Sequence, residues 1–152
     1  MKRHARRVGR AVLNRVADAV ERRLPGWNAD AAWRYLPIAR AIEAQLGPAA
    51  TILDVGAGGE GIAVYTRNPC VLTDVYPATG PRSCFVHADG AALPFRDRSF
   101  DAVVSADVME HLPPDARRGS IREMFRVARR MVVVAAPCGE AAEEHDRRLL
   151  AE

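Results

Sequence analysis

TILDVGAGGEG, Thr51 to Gly61, is the stretch whose reading decides the fold. Ile52, Leu53 and Val55 form a short apolar run, with Asp54 set inside its end, and Gly56, Gly58, Gly59 and Gly61 follow at once. A buried strand that runs into glycines and then into a helix is a nucleotide-binding turn. Glycine lets backbone approach a ligand closely, and the first turn of a helix offers N–H groups with no partner inside the helix. A glycine-rich loop alone is weak evidence, so the reading rests on what flanks it.

Downstream, apolar runs alternate with helical or loop stretches. Cys70–Asp74, Cys84–His87, Asp101–Ser105 and Met131–Ala135 read as four more strands after Ile52–Val55. They are short and lack polar alternation, which predicts strands covered on both faces. A short helix is expected over Ile62–Arg67, stopped by Asn68-Pro69. A longer one should open at Pro113-Pro114 with Ile121, Met124, Phe125 and Ala128 on one face. Strands alternating with helices imply an α/β fold, a Rossmann-like, doubly wound parallel sheet with helices on both faces.

Upstream the character differs. Val8, Val12, Val16, Val20 and Leu24 recur every four residues among arginines, so Ala5 to Leu24 reads as a basic amphipathic helix ended by Pro25-Gly26. A second helix is expected from about Ala31 to Leu46, capped by Asn28 or Asp30, kinked or split at Pro37 and closed by Gly47-Pro48. Trp33, Tyr35 and Leu36 within it are expected to pack on the sheet or to line a pocket. The domain reading is therefore a basic helical segment over residues 1–48 packed on a core over 49–152.

The net charge of +3 hides an asymmetry: residues 1–24 carry eight Lys and Arg against Asp18 and Glu21, so the remainder is net negative. Such an arm is expected to cap the domain or to touch an anionic membrane surface or acidic partner. Nucleic acid is not expected, because no aromatic residues interleave the basic ones. An apolar content of 49% excludes a disordered chain. Cys70, Cys84 and Cys138 have no metal spacing and read as small core residues in a reducing, cytoplasmic setting.

In open α/β sheets ligands lie at the carboxyl ends of the strands. Asp54 and Asp74 lie at the ends of the first two strands, and Asp89 and Asp107 follow the third and fourth. Four acids on one rim suit a ligand rich in hydroxyl and amino groups, since a carboxylate accepts two hydrogen bonds from a ribose diol. Asp74 is placed for that role, and Asp89-Gly90 for an adenine amino group. Each acid also has a plain reading as a turn or capping residue.

These residues resemble class I S-adenosylmethionine-dependent methyltransferases of the small-molecule kind often called type 11. ILDVGAGGEG resembles that family's first motif and VLTDVYP its second. HADGAALPFRDRSFDAVVSADVMEHL resembles the segment joining the third and fourth strands, and RVARRMVVVAAP the helix and strand that follow. The resemblance covers roughly residues 50–137 and implies strand order 3-2-1-4-5. It implies S-adenosyl-L-methionine as cofactor, held by Asp54, Gly56, Ala57, Gly58, Asp74, Val75, Asp89, Gly90 and Ala106, with backbone at Ser105 and Ala106 near its amino group. The acceptor is expected to be a small molecule, and Glu110 and His111 are the candidate bases, His111 as the side chain to accept the acceptor's proton. Two features depart from the pattern. Glu60 stands where the family often has a third glycine. Only fifteen residues follow Pro137, too few for the family's sixth and seventh strands. The chain is therefore expected to be a fragment, or to have its fifth-strand edge covered by a partner, by a second copy or by its own basic helix. Two other readings stand beside this one. One is a cofactor-binding module without turnover. The other is a nicotinamide-dependent oxidoreductase, since Gly56 to Gly61 also fits G-x-G-x-x-G. Against the second, Asp54 would repel a pyrophosphate, and Asp89 has no role in that scheme.

Overall fold

Five apolar runs become five parallel strands. The computed structural model describes residues 29–59, 61–76 and 84–140. Glu60 and the expected basic helix of Ala5 to Leu24 lie outside them. Strands β1 (Ile52–Val55), β2 (Cys70–Asp74), β3 (Cys84–His87), β4 (Phe100–Ala106) and β5 (Ala128–Ala135) form one sheet in the order β3-β2-β1-β4-β5. Every pairing is parallel, and β1, at the centre, pairs with both β2 and β4. The strand order reverses direction at β1 and β4, which opens a crevice at their carboxyl ends.

Alternation along β1 divides the core. Ile52 faces helix α1 (Ala29–Leu46), where Tyr35, Ile38, Ala39 and Ile42 pack with Ala102 and Val104. Leu53 and Val55 face the other way, against Met124 and Val127 of helix α2 (Pro114–Val127), with Leu93, Phe100 and Val103. Helices thus cover both faces of the central strands. α1 ends at Gly47, whose φ of +88° is the left-handed cap that glycine adopts freely.

Several expectations are corrected. Pro37 does not split α1, which runs unbroken through it. Both Pro37 and Trp33, whose carbonyl loses its intrahelical partner, are on the exposed side, where solvent can take that bond. Trp33 is 85% exposed rather than packed, and Phe125 of α2 is 66% exposed while Ser120, Met124 and Val127 take the buried stripe. The short helix after the glycines is only a 3-10 turn, Gly61–Val64. β3 is an edge strand with no fully buried residue, so the rule that every strand is covered on both faces fails there. Cys70 is half-buried, but Cys84 and Cys138 are exposed rather than core.

Candidate functional site

The glycine turn is held by bonds that use its own donors. Gly56 and Ala57 donate their N–H groups to the carbonyl of Thr73 at 2.8 and 3.0 Å, which ties the turn to β2. Gly58 N–H donates to Oδ2 of Asp74 at 2.8 Å, and Tyr76 N–H to Oδ1 at 3.0 Å. Ile62 N–H donates to Oδ2 of Asp54 at 2.8 Å. The N–H groups expected to face a ligand are thus partly spent on two carboxylates. Glycine is required at two points for lack of room. A Cβ on Gly56 would overlap the Val108 side chain, and one on Gly61 would overlap Oδ2 of Asp54.

Asp54 is wholly buried. Burial raises its pKa to about 7, against the opposing bond from Ile62 and the Tyr35 hydroxyl beside it; the charge of Asp74 adds to the rise. The Tyr35 hydroxyl is pushed up in turn, first by burial and then by the charge on Asp54. Asp54 therefore lies beneath the turn and lines neither of the cavities described next. Its place is that of a brace under the loop.

Two cavities open on the carboxyl ends of the strands and meet at Gly56 and Asp107. The first, about 410 Å³, lies on the α2 side, and Asp74, Val75, Asp89, Gly90, His111 and Ser120 are in its wall. Asp89 accepts the N–H of Ala91 at 2.8 Å through Oδ1, an Asx turn that fixes its carboxylate. Gly90 packs closely on Ser120, whose hydroxyl is buried without a hydrogen-bond partner among the described residues. The second, about 420 Å³, lies on the α1 side, lined by Ala57, Gly58, Ala106, Arg34, Tyr35 and Tyr65 among others. Arg34 and Asp107 form an ion pair there, Nη1 to Oδ2, at 2.6 Å.

Of the residues singled out in the sequence, Asp74, Val75, Asp89, Gly90 and His111 line the first cavity, Ala57, Gly58 and Ala106 the second, and Gly56 both. Ser105 is fully buried, and its hydroxyl has no partner among the described residues. Glu110 is not in either wall. Sequence reasoning missed Arg34, because nothing in a helical pattern says which cation turns inward. It also missed Glu123 and Arg126, which hold the loop after Asp89. Arg126 donates to the carbonyls of Phe95 and Leu93 at 2.7 and 3.0 Å and to Asp97 at 2.8 Å, and it is chelated by Glu123. Leu93 N–H closes the clamp on Glu123 at 2.9 Å. The Arg126 bond to the Glu123 side chain holds that carboxyl below its usual range. A Glu and an Arg three apart on the predicted α2 were the available signal.

A parallel sheet in this order, with acids at its carboxyl rim beside a glycine turn, is the Rossmann-like core of class I S-adenosylmethionine-dependent methyltransferases. Residues 53–135 match the family described as a methyltransferase domain, and the chain belongs to that family. It is similar to an uncharacterized methyltransferase of Mycobacterium sp. (strain KMS), 39% identical over an aligned length of 89, with 52% of this chain and 34% of the relative covered. The chain thus spans about a third of that relative's length. Among solved structures it resembles a TehB-like SAM-dependent methyltransferase of Corynebacterium glutamicum (TM-score 0.59, 22% identity, 98% of this chain and 84% of that one). It also resembles a 1,6-didemethyltoxoflavin-N1-methyltransferase of Burkholderia thailandensis with bound 1,6-didemethyltoxoflavin and S-adenosylhomocysteine (TM-score 0.55, 22% identity, 84% and 59%).

Proposed function

We propose that this chain is a methyl-transfer domain that binds S-adenosylmethionine across the two cavities and serves a small-molecule acceptor. The observation that carries the reading is the state of the glycine turn. Gly58 and Ile62 already donate to Asp74 and Asp54, so a pyrophosphate would meet occupied donors and the carboxylate of Asp74. A cationic ligand with hydroxyl and amino groups meets acceptors instead, which disfavours a nicotinamide dinucleotide. S-adenosylmethionine supplies a methyl already activated on a sulfonium, which passes in line to a nucleophile as the carbon–sulfur bond breaks. The chain's part is to hold donor and acceptor close and aligned. Asp74 accepts the ribose hydroxyls with the lone pairs that Gly58 and Tyr76 leave free, and Asp89 accepts an exocyclic amine through Oδ2. Gly56 lets backbone meet the sulfur-bearing chain. His111, exposed in the wall of the α2-side cavity, takes a proton where the acceptor must lose one.

The same reading makes residues 49–152 the cofactor-binding unit and residues 1–48 a helical cap. The basic segment meets an acidic partner or an anionic surface, a second copy covers the edge of β5, and the setting is cytoplasmic. Among the described residues no helix is long and apolar enough to cross a membrane.

Thermal unfolding with S-adenosylhomocysteine, and separately with NADH, tests the proposal. At about a hundred times its dissociation constant, a ligand selective for the folded state adds about 2.7 kcal/mol. S-adenosylhomocysteine is expected to raise the midpoint and NADH to leave it unmoved; the reverse pattern would overturn the reading. Asp74→Asn should weaken S-adenosylhomocysteine by about 1.5–3 kcal/mol, the range for a hydrogen bond to a charged group.

A further inference from the structure

Exposed large apolar side chains gather at one end of the molecule. Among the described residues they are Trp33, Val75, Tyr76, Phe125 and Val134. Val75 and Tyr76 follow β2 and stand in the wall of the α2-side cavity. Val134 is one residue short of the carboxyl end of β5. Trp33 adjoins Arg34, which reaches Asp107 beyond the end of β4. These four lie toward the carboxyl rim, where both cavities open. Phe125, near the end of α2 that leads into β5, lies toward the amino ends. Exposed apolar residues scattered singly are unremarkable, whereas a group at one end marks a contact surface.

The chain brings positive charge to the same end. Ala31 and Arg34, in the first turns of α1, line the α1-side cavity. At the other end of that helix the carbonyl of Gly47 accepts Nδ2 of Asn68, just ahead of β2. The start of α1 is therefore at the rim, and residues 1–28 join the described part there. Their sequence sets eight Lys and Arg against Asp18 and Glu21, with Val8, Val12, Val16 and Val20 recurring every four residues. The acids of the rim oppose an anionic surface. Asp107 is offset by Arg34, and Asp74 and Asp89 accept the N–H groups of Gly58, Tyr76 and Ala91. Attraction must then come from the basic residues ahead of α1, and the apolar grip from the rim.

We infer that the carboxyl rim docks on an anionic lipid bilayer and turns both cavities toward it. Trp33 and Tyr76 suit the headgroup layer, since each ring has an apolar body and a polar tip. The basic residues meet the lipid phosphates, and their attraction adds to the apolar contact. An acidic protein would account for the charge but not for rings gathered at the mouth. A nucleic acid would need aromatic residues among the basic ones, and residues 1–24 contain no Phe, Tyr or Trp.

Tryptophan fluorescence tests both the partner and the face. The chain has two tryptophans, so Trp27→Phe leaves Trp33 as the single reporter. Adding Trp33→Phe with Tyr76→Trp, or with Phe125→Trp, moves the reporter to the cavity mouth or to the opposite end. The full 152-residue chain should sediment with vesicles of phosphatidylcholine and phosphatidylglycerol and not with phosphatidylcholine alone. Replacing Arg6, Arg7 and Arg10 together by Gln should weaken that binding by at least about tenfold. Lipids brominated on their acyl chains should quench the reporters at 33 and 76 and spare the one at 125. Failure of the wild-type chain to bind the anionic vesicles would overturn the inference, whatever the variants do. Quenching at 125 but not at 76 would also overturn it, by placing Arg122 and its neighbours on α2 at the surface instead. Stabilisation by S-adenosylhomocysteine without vesicles reports on the cofactor reading separately, so either result can fail while the other stands.

Discussion

Gly61 shows how far a single residue constrains the site. Its φ is +50°, and a Cβ there would overlap Oδ2 of Asp54 and lie 2.8 Å from Cβ of Ala57. Gly58 has a similar φ of +62° but nothing within 4 Å of the same position. The two substitutions to alanine therefore separate backbone strain from crowding. Gly58→Ala should cost about 1–2 kcal/mol, the penalty of a left-handed residue with a side chain. Gly61→Ala should cost about 2–5 kcal/mol, because it must also displace a buried carboxylate from its bond to Ile62. Denaturant unfolding of both variants checks this, and equal losses would mean that Asp54 moves aside freely. The glycine cluster itself is legible in the sequence as a turn. The ranking of its members is not, since it depends on Asp54 folding under the loop and on Val108 arriving from beyond β4. The acids were more legible: a strand-end position follows from the strand pattern alone, so the sequence puts Asp74 and Asp89 on the same rim as the turn.

At the scale of elements, α1 and α2 are where helical periodicity helps least. The pattern of α1 sets Ala32, Tyr35, Ile38, Ala39 and Ile42 on a buried stripe, yet Trp33, the largest apolar side chain in the helix, is outside it. Size drew the eye in the sequence, whereas the angle around the helix axis decides burial. Ile42→Ala should cost about 2–5 kcal/mol, as for a well-packed core position, and Trp33→Ala should stay within about 0.5 kcal/mol. A comparable loss for Trp33→Ala would mean that a segment outside the described residues covers it. In α2 the decisive feature is polar. Arg126 joins the helix to the carbonyls of Leu93 and Phe95, and this fastens the segment that leads on from Asp89. Among the described residues Arg118, on the same helix, pairs only with Asp115, at 3.8 Å, with both side chains largely exposed. Arg126→Met is expected to lower the melting temperature by several degrees and to weaken adenosine-containing ligands, while Arg118→Met leaves both nearly unchanged. Apart from Glu123, three residues away, the Arg126 partners lie about thirty residues away along the chain, so no local pattern announces them.

Over the whole molecule, three carboxylates among the described residues, Asp101, Glu123 and Asp54, fall into two groups with opposite pH dependence. At the amino ends of the strands, Asp101 accepts the Thr51 N–H and pairs with Arg129, and these bonds hold its carboxyl below the usual value of 3.8. Glu123 is held below its usual value of 4.5 by Arg126. For both, the folded chain releases its proton more readily than the unfolded chain does. Their contribution to stability is complete above those usual values and is lost as pH falls. Asp54 runs the other way. Burial raises its pKa from 3.8 to about 7, so the folded chain keeps the proton more tightly. Its contribution is complete below 3.8 and is lost as pH rises toward 7. Asp54→Asn isolates the second trend: it keeps an oxygen for Ile62 N–H and removes the charge. The difference in unfolding free energy, wild type minus variant, should fall between pH 5 and pH 7 by an amount on the order of a few kcal/mol at most, then level off. Groups not coupled to Asp54 cancel in that difference, so urea unfolding of the two proteins at matched pH values isolates Asp54 and the neighbours its charge acts on. A difference that stays flat across this range would show that the carboxyl beneath the turn ionises as freely in the folded chain as in the unfolded one, and the brace under the glycines would then be a solvated group rather than a buried one.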